Sequence, residues 1–236
     1  MCGRYSLAGP DPSVLRERFT LGDEVEVRRR WNVAPGDDVL AVTTDRAGAP
    51  RGDVLRWGLV PHWAESPKTG YKMINARAES VTERPPFRDA LATRRCLILA
   101  DGFYEWERRP GLPKQPWWVT RAGGRPFAFA GLWAIWHDPS RGDGVEPLRT
   151  CTILTTEANG KLEPIHDRMP VMLPPDAEHA WIDHSTPREA LLELLAPLPD
   201  KATAMLAVGP AVNDARYDGP DCLAPAPVEE PQATLF

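Results

Sequence analysis

The chain has 236 residues, 42% of them hydrophobic, and a formal net charge of -5. That length supports a sizeable core, and with no Gly/Ser-rich or charge-run linker to divide it, one domain is expected. No apolar run reaches the ~18 residues of a membrane span. The start lacks the basic patch and apolar stretch of a secretory signal, so a cytoplasmic protein with no membrane partner is expected.

In chain order, CGRYSL predicts a strand. DPSVLRERF predicts a helix with Asp11 as N-cap and Pro12 at its first position. WNVAPG reads as loop, followed by strand-like runs in DVLAVTT and DVLRWGLV. RPPFRDALATR predicts a short helix with Phe87, Leu91 and Ala92 on one side. RCLILADGFYEWE reads as a buried strand broken at Asp101-Gly102, and PWWVT, PFAFAGLWAIW and LRTCTILTT add further β segments. PDAEHAWI is a helix candidate. TPREALLELL is another, with Thr186 as cap, Pro187 opening it and Glu189 completing a capping box. ATAMLAV returns as a strand, and the remainder reads as loop, with residues 226–236 expected to be disordered. The pattern predicts an α+β fold on mixed, mainly antiparallel sheets.

Four cysteines, at 2, 96, 151 and 222, are too widely spaced for a zinc-ribbon pattern. Cys96 and Cys151 lie in strand-like apolar runs and are expected in the core. The five histidines form no HExxH pattern, so neither a metal nor a cofactor is expected. Charge divides unevenly: residues 1–168 carry 25 Lys+Arg against 22 Asp+Glu, and residues 169–236 carry 3 against 11. Arginine supplies 23 of the 28 basic residues, and its planar fork suits phosphate oxygens. GC-rich coding would give the same excess, so composition permits a phosphate partner without requiring one.

Cys2 has two readings. It is a small apolar residue entering a first strand, or, with Met1 removed, a terminal residue presenting an amine and a thiol on adjacent carbons. Asn75 and Arg77 in MINARAES share a side if extended. Glu105 lies among aromatics, where burial would raise its pKa towards neutrality and make it a usable proton carrier. His166, in PIHDRMP, stands on a loop between a proline and an Asp-Arg pair. Each also reads as structural: a strand-end amide, an ion pair, a surface histidine.

Together these residues form a set. MCGRY, WNVAPG, WG at 57–58, INAR at 74–77, DGFYEW at 101–106, KQP at 114–116 and IHDRMP at 165–170 stand in an order that resembles the SOS response-associated peptidase (SRAP) family. VGPAVNDARYDGPDC resembles the family's closing segment, so the resemblance spans residues 2–225 and leaves out the tail and the loop at 138–147. It implies a single SRAP-type domain with a barrel-like core and flanking helices. It also implies a protein that loses Met1 and captures abasic sites in single-stranded DNA through Cys2; a monomer is expected. By this resemblance Asn75 holds the terminal residue and the sugar, Glu105 shuttles protons, and His166 assists ring opening and release. Arg4 and Arg77 grip phosphates, and Trp63 and Trp106 stack on bases or wedge a junction; core packing is the other reading for Trp106. Where the family pattern has a second tryptophan this chain has Ala64. Arg84, Arg88 and Lys72 are further phosphate candidates, and Trp31, Trp57, Trp117, Trp118, Trp133 and Trp136 are assigned to the core. Removal of Met1 by the same site, and weak strand cleavage through the imine, are secondary activities the resemblance allows.

Two other function classes fit parts of the sequence. Glutamine amidotransferases with an N-terminal nucleophile also open Met-Cys-Gly, but continue with an apolar residue where this chain has Arg4. A module binding single-stranded DNA without covalent chemistry would need the arginines and tryptophans but not Cys2. The acidic last third is expected to face away from DNA.

Overall fold

The computed structural model describes residues 2–9, 11–45, 47–140 and 144–227. Its strands are β1 (Tyr5–Leu7), β2 (Arg30–Val33), β3 (Asp38–Thr44), β4 (Pro50–Trp57), β5 (Asn75–Arg77), β6 (Arg95–Ala100) and β7 (Gly102–Glu107). They continue with β8 (Gln115–Arg121), β9 (Phe127–Trp136), β10 (Leu148–Glu157), β11 (Arg168–Pro170), β12 (Met172–Leu173) and β13 (Thr203–Ala207). Four α-helices flank them: α1 (Pro12–Phe19), α2 (Pro85–Thr93), α3 (Pro175–Ile182) and α4 (Arg188–Glu193).

Five strands close on themselves. β4 pairs with β3, β3 with β6, β6 with β9 and β9 with β10, all antiparallel, and β10 returns to β4 in parallel register through Thr150↔Arg56 and Cys151↔Trp57. Closure of this ring removes the open edges a sheet would otherwise expose. β5 takes over from β4 on the same edge of β10, with Ile153 opposite Asn75. A second, antiparallel sheet runs β13-β8-β7-β1-β2. The fold is therefore α+β with mixed, mainly antiparallel sheets around a barrel, as expected.

The alternation along β6 explains its continuous burial. Leu97 and Leu99 face a core shared with Phe87, Leu91 and Trp181, while Cys96, Ile98 and Ala100 face a core shared with Tyr5, Phe103 and Phe129. A strand covered on both faces reads as an unbroken apolar run. The chain leaves the barrel for the second sheet at Asp101, the break expected from sequence. Its carboxylate accepts from Ser6 Oγ at 2.5 Å and from the backbone N–H groups of Ala8 and Gly9 at 2.7 and 2.6 Å. Arg95, 1% exposed, ties two helix ends to β6 by donating to the carbonyls of Leu91, Ala92, Trp181 and Asp183. Helix C-termini carry partial negative charge, which offsets that buried cation.

Several local expectations are corrected. Residues 31–33, read as loop, belong to β2 and pair with β1 through Tyr5↔Val33 and Leu7↔Arg30, with a register shift between them. On α2 the buried residues are Phe87, Ala90 and Leu91, and Ala92 is exposed. Thr186 does not cap α4: its hydroxyl donates to the Ala180 carbonyl at 2.7 Å, and Pro187 holds the N-cap position without a side-chain bond. The Asp11 cap stands, accepting from the Ser13 N–H. Cys96, Cys151, Trp57 and Trp136 are buried, while Trp31, Trp117, Trp118 and Trp133 are half-buried. Residues 228–236, most of the expected tail, lie outside the described residues. No helix is long and apolar enough to cross a membrane among the described residues.

Candidate active site

Cys2 enters the structure between two strands of different sheets. The register Tyr5↔Phe103 and the N–H of Tyr104 donating to the Arg4 carbonyl at 3.0 Å run residues 2–4 alongside β7. On the opposite side, Asn75 of β5 donates through Nδ2 to the Cys2 carbonyl at 2.7 Å. Cys2 is fully buried in the core with Tyr5, Trp57 and Ile153. Burial, and then the negative charge of Glu105, push its thiol pKa far up, so the sulfur is protonated at neutral pH.

Glu105 is 5% exposed. Burial raises its carboxyl from the usual 4.5 to about 7, with the amino-terminal positive charge pulling the other way. It lines a cleft of about 510 Å³ with Trp106, Arg108, Lys114 and His166. His166 accepts at Nδ1 from the Arg168 N–H at 2.9 Å. Burial first, and the amino-terminal charge second, lower its pKa, which favours the neutral ring. The same Nδ1 lies 2.9 Å from Asp167 Oδ1, so its two neighbours favour opposite tautomers of the neutral ring. The cleft thus offers one carboxyl able to give or take a proton near neutrality and one neutral imidazole able to donate.

The loop carrying His166 is fixed to the β5 region by Arg168. Its guanidinium makes a two-pronged contact with the Glu79 carboxylate at 2.6 and 2.9 Å and donates to the Thr155 carbonyl at 2.7 Å. The Arg168 hydrogen bond is the main cause holding the Glu79 carboxyl below its usual range.

Arg4 and Trp106 form a second cluster. Arg4 Nη1 donates to Asn32 Oδ1 at 2.8 Å and to the Val212 carbonyl at 3.0 Å, and its guanidinium lies 5.8 Å from the Trp106 ring centroid. Trp106 Nε1 donates to Asn213 Oδ1 at 2.7 Å. Asn32, 1% exposed, donates Nδ2 to the carbonyls of Asp214 and Tyr217. The acidic last third is therefore partly at this cluster, through residues 212–217, and does not all face away from it. Half-buried Trp106 packs against the small core of Tyr104, Val208, Val212 and Cys222, with one edge pinned by Asn213 and one face near Arg4.

Trp63 is 57% exposed. Arg77, Arg84, Arg88 and Lys72 are exposed; Arg84 lies over Phe87, and Arg88 pairs with Asp89 at 3.1 Å. Cys2, Asn75, Glu105 and His166 are thus brought together, Arg4 and Trp106 adjoin them, and Arg77 follows Asn75 on β5. Sequence reasoning missed the supports Asn32, Asn213, Glu79 and Arg168, together with Arg108 and Lys114 on the cleft. Asn32, Asn213, Lys114 and Arg168 do fall inside motifs that carried the resemblance. No group of three or more His, Cys, Asp or Glu suited to a metal occurs among the described residues.

A family model described as SOS response associated peptidase (SRAP) matches residues 1–215. The protein named Abasic site processing protein YoqW, from Bacillus subtilis (strain 168), is 39% identical over 227 residues, 94% of this chain and 99% of that protein. Abasic site processing protein HMCES of Xenopus tropicalis is 33% identical over 193 residues, 72% of this chain and 56% of that protein. A crystal structure of a Bordetella bronchiseptica protein aligns with a TM-score of 0.72 at 28% identity, over 88% of this chain and 100% of that one.

Proposed function

Because the chain belongs to the SOS response-associated peptidase (SRAP) family, we propose that it processes abasic sites in single-stranded DNA by bonding covalently to them through Cys2. The observation that carries this reading is the meeting of Cys2, Asn75, Glu105 and His166, from four distant stretches of chain, around one buried carboxyl. The relatives named abasic site processing proteins supply the substrate class.

Loss of Met1 leaves an α-amine on Cys2. Such amines titrate near ~7.7, so a substantial fraction is unprotonated at neutral pH. The nitrogen attacks the aldehyde carbon of the ring-opened sugar, giving a carbinolamine. Glu105, protonated about half the time near pH 7, donates to the leaving hydroxyl, and water departs as the imine forms. The thiol then adds to the imine carbon while its proton passes to the nitrogen, closing a five-membered thiazolidine. One water is released overall and nothing is oxidised or reduced. Asn75 holds the Cys2 carbonyl during these steps, and the His166 ring exchanges a proton with the sugar oxygens. Before closure the imine permits β-elimination, a weak lyase side reaction that thiazolidine formation suppresses. The product shields the lesion, and the protein acts as a cytoplasmic monomer.

The test is intact mass. Protein lacking Met1, mixed with a single strand carrying one glycosylase-generated abasic site, should gain the mass of the strand less one water and keep it on heating. Cys2→Ala should give only an imine that borohydride traps, and Cys2→Ser a far less stable adduct. No mass gain by the wild-type protein, or active protein still carrying Met1, would refute the reading.

A further inference from the structure

This inference rests on the reading that an abasic strand binds at Cys2. A nucleotide without a base offers nothing to stack, so the fixed features near its sugar are the two flanking phosphates. Cys2 lies between β7 and β5, and the cations around it fall into two sets. Arg77 belongs to β5, two residues beyond Asn75. Arg108 leaves β7, and Lys114 stands one residue before β8, the hairpin partner that sets Gln115 opposite Glu107.

Lys114 has a particular place. It lines the cleft that contains Glu105 and His166, and also an adjoining hollow of about 400 Å³ lined by Arg4, Trp106 and Asn213. The two hollows meet at Trp106 and Lys114. Arg77, Arg108 and Lys114 are exposed, and no ion pair among the described residues engages any of them. An exposed lysine without a carboxylate partner gains by meeting a phosphate and loses little solvation in doing so.

We propose that Lys114, assisted by Arg108, grips the phosphate on the β7 side of the abasic nucleotide, opposite the phosphate on the β5 side that the family resemblance already gives to Arg77. The strand therefore crosses the cleft from one sheet to the other, with the sugar carried over Cys2. Lys114 anchors the strand, and the chemical steps stay with Cys2 and Glu105.

The experiment uses single strands carrying a tetrahydrofuran abasic analogue, which has no aldehyde and so reports binding alone. Three strands are compared: one all-phosphate, one with a neutral methylphosphonate on the 5′ side of the analogue, and one with it on the 3′ side. On the all-phosphate strand, Lys114→Ala should weaken binding about fivefold and flatten the log-log salt dependence by about 0.7. Its melting temperature should match the wild type, and Lys114→Arg should restore binding. The Lys114→Ala penalty should vanish on one methylphosphonate strand and the Arg77→Ala penalty on the other. Loss of both penalties on the same strand, persistence of the Lys114→Ala penalty on both, or no penalty at all would overturn the assignment. If the wild-type protein binds the analogue but gains no mass with the aldehyde strand, the covalent reading falls and the phosphate assignment stands. A wild-type protein that binds no single-stranded DNA overturns both.

Discussion

The side-chain amide of Asn75 holds the Cys2 carbonyl through Nδ2 at 2.7 Å, while the Oδ1 of the same amide is buried with no partner among the described residues. A hydrogen bond of this kind is worth about 0.5–1.5 kcal/mol to folding, and a buried acceptor left unsatisfied costs about 1–3. The two effects of this one side chain on stability oppose each other. Its placement at Cys2, with one acceptor left open to an incoming donor, therefore adds little to the stability of the fold.

Asn75→Ala should accordingly leave folding stability within about 1 kcal/mol of wild type. It should also slow covalent capture about tenfold or more, because the reacting residue loses its tether. A crosslinking time course beside a denaturant melt checks both. Equal loss of rate and stability would reduce Asn75 to a structural residue.

Glu105 links pH to stability. Its carboxyl keeps its proton up to about pH 7 in the folded protein and releases it near 4.5 when burial is removed. The folded state binds more protons between those values. The favourable contribution of the group is therefore complete below about 4.5 and lost as pH rises through about 7, where burying the ionised form becomes costly. Glu105→Gln, which does not ionise, should gain on the wild type by about 1–3 kcal/mol between roughly pH 5 and pH 8. Denaturant melts at each pH measure this, and a pH-independent difference would contradict it. In capture assays the same substitution should remove the limb of the pH–rate profile near 7.

Trp57-Gly58 opens the loop that carries Trp63 and ends at Asn75. Gly58 has φ +125°, and a Cβ there would sit 2.8 Å from the Gly70 carbonyl oxygen. The two backbone stretches touch because neither has a side chain between them. Gly58→Ala adds strain in the backbone dihedral to a clash, so it should destabilise by about 2–4 kcal/mol. Binding to single strands should fall as well, since the loop must shift. A variant as stable as wild type would show that the loop tolerates a wider spacing.

The elements whose signals are local were legible in the sequence. Asp11-Pro12 starts a helix because both act on its first turn, and Asp101 breaks a strand because its carboxylate collects neighbouring N–H groups. The motif residues Cys2, Asn75, Glu105 and His166 were legible as a set, though nothing local says that Asn75 reaches a carbonyl at residue 2. What stayed hidden depends on distant partners. Residues 31–33 form a strand because β1 lies beside them and Asp218 accepts the N–H groups of Trp31 and Asn32. Thr186 spends its hydroxyl on a carbonyl six residues back instead of on its own helix. Lys114 enters the cleft only because β7 and β8 fold into a hairpin.

Cys2 packs in one core cluster with Ile153, Met169 and Met172, and Arg4 is steadied from Val212. During synthesis the amino terminus leaves the ribosome first, while these neighbours, between residues 153 and 212 of 236, emerge later. The second residue is consequently accessible until those neighbours have been made and becomes sheltered once they fold over it. If Met1 leaves by an aminopeptidase rather than by the folded site, as the proposed function allows, the order in which the polypeptide is made sets a window for that removal before Cys2 is enclosed.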